Sequence, residues 1–303
     1  PYTTLFRSVL FARKTNELIS YPGGRENSSY EIPEWVTSIG MAAFSENKWL
    51  REITLNEQLE ELSENPFCGC KVLAAIHIPG NHLIYEVKDG ALYNKQKREL
   101  IAYLWGSEAN TFEIPAGTLS ISQEAFYKHP ELTHVTIPNS VRFIGNAAFA
   151  ESGLLSIRIP EGVTVLRDST FSGCHNLLTI SLPRTLTTIG SSVFYECISL
   201  IRIELPSSLR SIGSGAFYLC QNLLTIKIPE GVESVGNYAF TGCFSLTDIS
   251  FPESLTDIGN DIFYADENIL LSVPTGSYAE TWAEENGIST KQPPVNLIST
   301  ESI

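Results

Sequence analysis

Hydrophobic residues recur along this chain with a period of about 23 residues, which lies in the range typical of repeat proteins. An apolar residue followed by proline returns at nearly constant intervals, apart from one longer interval between Ile78 and Ile114. These pairs are Ile32-Pro33, Ile78-Pro79, Ile114-Pro115, Ile137-Pro138, Ile159-Pro160, Leu182-Pro183, Leu205-Pro206, Ile228-Pro229, Phe251-Pro252 and Val273-Pro274, with Leu55-Asn56 between the first two. A phenylalanine follows nearly every pair at a fixed distance, at Phe44, Phe67, Phe126, Phe149, Phe171, Phe194, Phe217, Phe240 and Phe263. Such a period predicts a solenoid in which each repeat forms one coil.

The coil from Leu177 to Leu200 shows how one repeat should fold. Polar and apolar residues alternate over residues 179–182, which predicts a short strand with one buried face. Pro183 should end this strand because proline has no N–H to donate to a neighbour. Gly190 suits a turn with positive φ, and residues 193–194 should fill the coil interior on a single helical turn. Stability should then come from stacking each coil on its neighbours.

The repeat Leu-x-x-Ile-x-Ile-Pro-x-x-Val-x-x-Ile-Gly-x-x-Ala-Phe-x-x-Cys-x-x-Leu resembles the BspA-like leucine-rich repeats of bacterial surface proteins. The clearest copies are Leu200–Leu223 and Leu223–Leu246, and the resemblance spans about residues 9–288. It implies a leucine-rich-repeat solenoid of the α/β class, with strand-rich coils and short helical turns. It also implies a secreted or cell-surface protein that adheres to host matrix proteins or to other cells.

One insertion departs from the period. The long interval after Ile78-Pro79 holds the polar stretch Asn94–Glu99 between apolar runs, so we expect a β-hairpin insertion near residues 85–105. The same pattern stands earlier in the chain, at Leu10-Phe11 and Leu18–Tyr21. Such a hairpin is either a side wall of a binding site or a decoration on a coil.

The two ends carry different signals. Ser277 and Glu280 form a capping box, and Asn286-Gly287 supplies a helix stop, so a capping helix is expected over residues 277–287. Residues 289–303 contain Pro293-Pro294 and many hydroxyl residues, which predicts a flexible tail. Residues 1–8 read like a translated sequencing adaptor, so we expect the domain to occupy residues 9–288.

Composition and charge narrow the function classes. With 43% hydrophobic and 18% charged residues, the chain has the composition of a folded protein. Lys and Arg number 20 against 34 Asp and Glu, and the net charge of −14 argues against nucleic acid and anionic lipid as partners. The sequence has no run of about 18 apolar residues, so membrane insertion is not expected.

Five cysteines share one place in the repeat, three residues after the phenylalanine. They are Cys70, Cys174, Cys197, Cys220 and Cys243. Stacked coils would place consecutive thiols about 5 Å apart, which suits buried free thiols, disulfides or a metal site. A parallel column does not converge on one point, and this favours buried thiols.

No other residues form a catalytic pattern. The histidines at 77, 82, 129, 134 and 175 show no spacing typical of a metal site or an activated nucleophile, and we expect them at the surface. We therefore predict no catalytic site, no cofactor and no metal.

The outward positions of the strands are the candidate binding site. They lie two and four residues before each proline and should stack into a polar stripe. Its predicted ligand-binding residues are Arg158, Arg202, Lys227, Glu204, His134, Thr179 and Ser181, with a basic patch at the first three. The alternative is a solvated face that binds nothing in particular.

Together these features predict a non-catalytic recognition module that binds a protein or glycan partner on the strand face. Two alternatives stay open. One is a non-catalytic repeat region of a larger enzyme. The other is an intracellular protein-interaction scaffold, where reduced cysteines would be at home.

Overall fold

The computed structural model describes residues 8–105, 109–263 and 269–292. The chain forms a strand-rich solenoid of about 12 turns with one short helix near the C-terminal end. This confirms the predicted solenoid. Among the described residues, no helix has the length and apolar character needed to cross a membrane.

The first strand of each coil precedes the proline. Strands of this kind pair in parallel with their equivalents in neighbouring coils, and together they form what we call the front face. The front-face strands are β3 (Ser29–Glu31), β5 (Glu52–Thr54), β7 (Ala75–His77), β11 (Thr111–Glu113), β13 (His134–Thr136), β15 (Ser156–Arg158), β17 (Thr179–Ser181), β20 (Thr225–Lys227), β22 (Asp248–Ser250), β24 (Leu270–Ser272) and β25 (Thr290–Lys291). The ladder continues one residue past β15, where Ile159 N–H donates to the Ser181 carbonyl, and it stops at Pro160.

The second strand of each coil is short and begins the back face. These strands also pair in parallel from coil to coil. They are β4 (Ser38–Ile39), β6 (Glu61–Leu62), β12 (Ser120–Ile121), β14 (Phe143–Ile144), β16 (Val165–Leu166), β18 (Thr188–Ile189), β19 (Ser211–Ile212), β21 (Ser234–Val235) and β23 (Asp257–Ile258).

The segment around Phe194 is a series of turns, and the helical turn predicted there does not form. Tyr195 N–H donates to the Ser192 carbonyl within the coil, whereas Phe194 N–H donates to Ala216 in the next coil. Ser192 has a φ of 55°, so the left-handed residue is not Gly190 as predicted. Glycine is needed at 190 for space, because a Cβ there would lie 2.6 Å from the Asp168 carboxylate.

Phenylalanine rings form two stacked ladders in the core. From Phe126 to Phe263 the ring centroids are 5.0–6.0 Å apart and the ring planes differ by 6–23°. A shorter ladder contains Phe44 and Phe67. Tyrosine heads each of them, Tyr21 stacking on Phe44 and Tyr103 lying 5.5 Å from Phe126.

A hairpin precedes each ladder, and this confirms the predicted insertion. The first hairpin comprises β1 (Leu10–Ala12) and β2 (Glu17–Ser20), and the second belongs to the meander β8 (Tyr85–Lys88), β9 (Ala91–Asn94) and β10 (Glu99–Tyr103). The two hairpins share the same register, and each has one bulge. In the first hairpin Leu10 pairs with Ser20 and Phe11 pairs with Leu18, and the equivalent residues of the second hairpin pair in the same way. The second hairpin therefore starts a second stack of coils within the chain.

The two stacks meet at a break in the back face. Strands β6 and β10 lie in different sheets, and the buried core divides into two clusters at this level. The Tyr85 hydroxyl accepts from Leu62 N–H at 2.8 Å and donates to the Glu60 carbonyl at 3.3 Å. A side chain thus replaces part of the missing backbone pairing between the stacks.

The helix α1 (Tyr278–Glu285) lies against the last coil. The Ser277 side chain accepts from Glu280 N–H at 3.2 Å, and Trp282 is buried with the core, which confirms the predicted capping helix. Strand β25, which lies within the first residues of the predicted tail, then pairs with β24. Most of the predicted tail, residues 293–303, and seven of the eight predicted adaptor residues lie outside the described ranges.

Candidate functional site

The outward side chains of the front face stand in two rows. Backbone pairing sets Ser156 beside Thr179, and Arg158 beside Ser181. Row one contains His134, Ser156, Thr179, Arg202, Thr225 and Asp248, and row two contains Thr136, Arg158, Ser181, Glu204, Lys227 and Ser250. The pairing is interrupted between the coils of Thr179 and Arg202, where the sheet changes.

All seven predicted ligand-binding residues are exposed on this face. The basic residues are more dispersed than a single patch, because Ser181 and Glu204 lie between Arg158 and Lys227, and Arg202 lies in the other row. None of the ion pairs found within the described ranges uses these charged residues. Their charged groups therefore face solvent.

An exposed aliphatic ladder runs beside row one and was missed by the sequence analysis. It consists of Leu155, Leu178, Ile201 and Leu224, with exposed fractions of 36–46%. Backbone bonds join it in two pairs, since Leu178 N–H donates to the Leu155 carbonyl and Leu224 N–H donates to that of Ile201. An alignment of the repeats would have revealed the ladder, because the coils on either side of it have threonine, Thr133 and Thr247, at the equivalent position.

A cleft of about 490 Å³ opens on the back face where the stacks meet. Glu61 and Glu64 line it from the first stack, Lys97 and Glu99 from the second hairpin. Glu99 accepts from the Ser122 hydroxyl at 2.7 Å. The Arg167 guanidinium lies over the Phe143 ring, 4.4 Å from its centroid, at the cleft wall. The hairpin is therefore the head of a stack and also lines this cleft.

The column cysteines are buried thiols, none of them in a disulfide, and they join neighbouring coils. Each S–H donates to the carbonyl of the phenylalanine one coil earlier, as Cys197 does to Phe171 at 3.2 Å and Cys220 to Phe194 at 3.1 Å. Burial raises the pKa of the Cys174 thiol to about 11 and that of Cys70 to about 12. These thiols are held in the neutral form, and their role is to bridge coils.

Two histidines are buried, and the prediction of a surface position is wrong for them. His129 stands in the cysteine column, and its Nε2 lies 3.2 Å from the Tyr103 carbonyl, as a thiol does elsewhere. The His82 Nδ1 accepts from the backbone N–H groups of Ile84 and Tyr85, both at 3.2 Å. Over residues 8–105, 109–263 and 269–292, no three His, Cys, Asp or Glu side chains come together as metal ligands would.

Solved structures share this fold. A leucine-rich repeat protein from Eubacterium ventriosum gives a TM-score of 0.66 at 20% identity, covering 81% of this chain and 79% of its own. The pneumococcal vaccine antigen PcpA gives 0.60 at 19% identity, covering 89% and 69%. The leucine-rich repeat protein TpLRR of T. pallidum gives 0.55 at 27% identity, covering 70% and 97%.

No curated protein matches the sequence. The family model of the BspA type leucine-rich repeat region (6 copies) matches residues 24–104, 101–203 and 144–270, which together make up most of the chain. The chain therefore belongs to the BspA-type leucine-rich repeat family.

Proposed function

We propose that this chain is a secreted or cell-surface recognition module that binds a protein or glycan through its front face. Its family and fold are those of bacterial repeat proteins, which typically act as non-enzymatic recognition modules. The observation that carries the proposal is the arrangement of exposed polar side chains in two rows, fixed by parallel pairing of one coil on the next.

The rigidity of the rows explains how such a surface would bind. Outward side chains such as those of β15 and β22 stand on strands that are hydrogen-bonded to a neighbouring strand on both sides, so a partner needs to order only side-chain ends. A small ordering cost lets many weak contacts add up to useful affinity. Arg158 and Arg202 can each donate two parallel hydrogen bonds to a carboxylate or sulfate, which gives directional contacts among the neutral Ser and Thr residues.

The experiment is a binding screen with purified chain against defined matrix proteins and glycans. The variant R158E/R202E/K227E should lose at least about tenfold in affinity for a ligand of this face. A matched control, K48E/K71E/R184E, makes the same change in net charge at exposed positions outside the two rows, and it should bind like the wild type. Equal losses in both variants, or no ligand among the probes, would contradict the proposal.

A further inference from the structure

We propose that the front face docks an amphipathic helix of a protein partner. The helix would cover the aliphatic ladder, Leu155, Leu178, Ile201 and Leu224, and its flanking carboxylates would pair with Arg158, Arg202 and Lys227. This inference rests on the proposed function and deepens it, because it names the chemical class of the partner.

The ladder is an apolar strip on an otherwise polar face. Its four side chains belong to consecutive coils and are each more than one-third exposed. Single exposed aliphatic residues are common on soluble proteins, whereas contiguous apolar surface rimmed by polar residues is typical of protein interaction sites. Sugar hydroxyls need hydrogen-bonding partners that aliphatic side chains do not offer, so this surface favours a protein over a glycan.

The ladder is confined to four coils. At the equivalent place the other coils have polar or small residues, or a buried one. These are Ser28, Arg51, Ala74, Asn110, Thr133 and Thr247, together with the buried Ile269. The repeat fold therefore does not require an aliphatic residue there, since neighbouring coils of this same chain stack without one. Contact with a partner explains why these four coils have an exposed aliphatic residue at this position and the other coils do not.

Positive charge coincides with the ladder. Arg158 follows Leu155 on one coil, Arg202 follows Ile201, and Lys227 follows Leu224. The outward positions of the four coils have these three cations and one carboxylate, in a chain whose net charge is −14. The coil that follows the ladder has the acidic outward residue Asp248. A partner that covers the ladder therefore meets cations at its rim, and carboxylates are the complementary groups.

Spacing favours a helix over an extended strand. Neighbouring coils repeat every 4.8 Å or so, which makes the ladder about 14 Å long. Helix residues i, i+4, i+7 and i+11 share one face and span about 16 Å. Four residues on one face of an extended strand span about 20 Å. The helix matches the ladder to within about 2 Å, so each of its four anchors can contact one coil.

The test uses three synthetic peptides of about 18 residues, measured by fluorescence anisotropy with the full chain. One places Leu at i, i+4, i+7 and i+11 with Glu on the flanks. The second replaces Glu by Lys, and the third scrambles the first. We expect the Leu/Glu helix to bind at least about tenfold more tightly than either of the others. In R158E/R202E/K227E the preference should reverse towards the Lys peptide.

The variant L155T/L178T/I201T/L224T places on the ladder the residue found in the adjoining coils, and it should lose the tenfold preference. The control M41T/L83T/F244T removes exposed apolar residues elsewhere and should keep it. If the fourfold variant does not fold, the single variants L178T and I201T should each lose part of the affinity. Peptide binding that ignores sequence order, or that survives the threonine changes, would overturn the inference.

Two further outcomes would overturn it while leaving the proposed function standing. A glycan or matrix protein that loses binding in R158E/R202E/K227E but not in the threonine variant would use the polar rows alone. Sedimentation showing a wild-type dimer that the threonine variant abolishes would assign the ladder to a second copy of this chain.

Discussion

Lys128 and Glu46 form an ion pair between two coils that are not neighbours, with Nζ 2.9 Å from Oε1. The residues lie 82 positions apart, which is also the offset between Leu10 and Leu92 in the two hairpins, so they hold equivalent places in the two stacks. Gly69 holds that place in the coil before the junction, and a Cβ there would lie 2.6 Å from the Glu46 carboxylate. The missing side chain at Gly69 leaves room for the pair to form.

Gly69→Ala should therefore disturb the junction more than its backbone conformation alone explains. Gly69 has a φ of 66°, and Gly276, with a φ of 76° and no atom near its would-be Cβ, is the matched control. Gly276→Ala should cost about 1–2 kcal/mol of unfolding free energy from the left-handed backbone alone. Gly69→Ala should cost up to about 1 kcal/mol more, since the pair is partly exposed.

Urea unfolding measures both costs, and the variant Glu46→Ala tests their cause. In the Glu46→Ala background the excess cost of Gly69→Ala should vanish, because no carboxylate remains to be displaced. An excess that persists would show that Gly69 meets some other group.

The glycine of the Ile-Gly pair is needed for close approach between coils. Gly213 does not have a positive φ, yet a Cβ there would lie 2.5 Å from the carbonyl carbon of Gly190 in the preceding coil. Gly213→Ala should force the two backbones apart and cost about 2 kcal/mol or more. Gly80→Ala, with open space around it, should change the unfolding free energy by less than about 0.5 kcal/mol. Similar costs at both sites would contradict this account.

Much of the fold could be predicted because the repeat itself encodes it. The strand before Pro183, the recurrence of one hairpin pattern at Leu10 and Leu92 and the capping box at Ser277 all follow from local patterns whose physical cause is simple. The reason why glycine is required at position 190 could not be predicted. A glycine in a sequence can be required by a positive φ or by the close approach of another part of the chain, and the sequence looks the same in both cases. Only the neighbouring coil distinguishes these causes.

The candidate site was predictable in part. The two polar rows follow from alternation in strands such as β15 and β17, because side chains alternate between faces. The ladder at Leu155 and Leu178 precedes the strands, where alternation gives no guidance, and only comparison between coils of the chain reveals it. Glu61 and Arg167 line the back-face cleft from the two different stacks, and no local pattern encodes that arrangement.

The buried thiols predict a loss of stability at alkaline pH. Cys174 is fully buried, and its pKa is raised from 9.0 to about 11, so the folded chain keeps a proton that the unfolded chain releases. This stabilisation is complete below pH 9 and is lost as the pH rises towards 11. In that interval Cys174 alone should lower the unfolding free energy by about 1.4 kcal/mol per pH unit.

Cys174→Ala should flatten the pH dependence, and urea unfolding at several pH values between 8.5 and about 10.5 measures this slope. Val193→Ala is the control, because it also removes buried volume but no titrating group. Val193→Ala should lower stability by a constant amount and leave the slope unchanged. A wild-type slope in Cys174→Ala would show that the Cys174 thiol does not contribute to the alkaline loss of stability.

The Tyr85 hydroxyl should contribute more to stability than the hydroxyl of Tyr93 on the adjacent strand. Tyr85 bonds to backbone groups of the first stack, at Leu62 and Glu60, whereas the Tyr93 hydroxyl is buried and has no hydrogen-bond partner among the described residues. Tyr85→Phe leaves Leu62 N–H unpaired at the junction and should cost about 1–3 kcal/mol. Tyr93→Phe removes an unsatisfied polar group, so it should be neutral or slightly stabilising.

Hydrogen exchange shows where in the chain stability is lost in Tyr85→Phe, whereas an unfolding experiment gives only the total loss. Because Tyr85 bridges the two stacks, Tyr85→Phe should accelerate exchange at Leu62 N–H and its neighbours in β6 while leaving β18 and β19, several coils away, unchanged. Tyr93→Phe should leave both regions as they are. If exchange at Leu62 were unaffected, the stacks would be joined by other contacts, such as the Trp105 N–H to Leu73 carbonyl bond, the Asn65 side chain and the Lys128–Glu46 ion pair, and the hydroxyl bridge would add nothing to the junction.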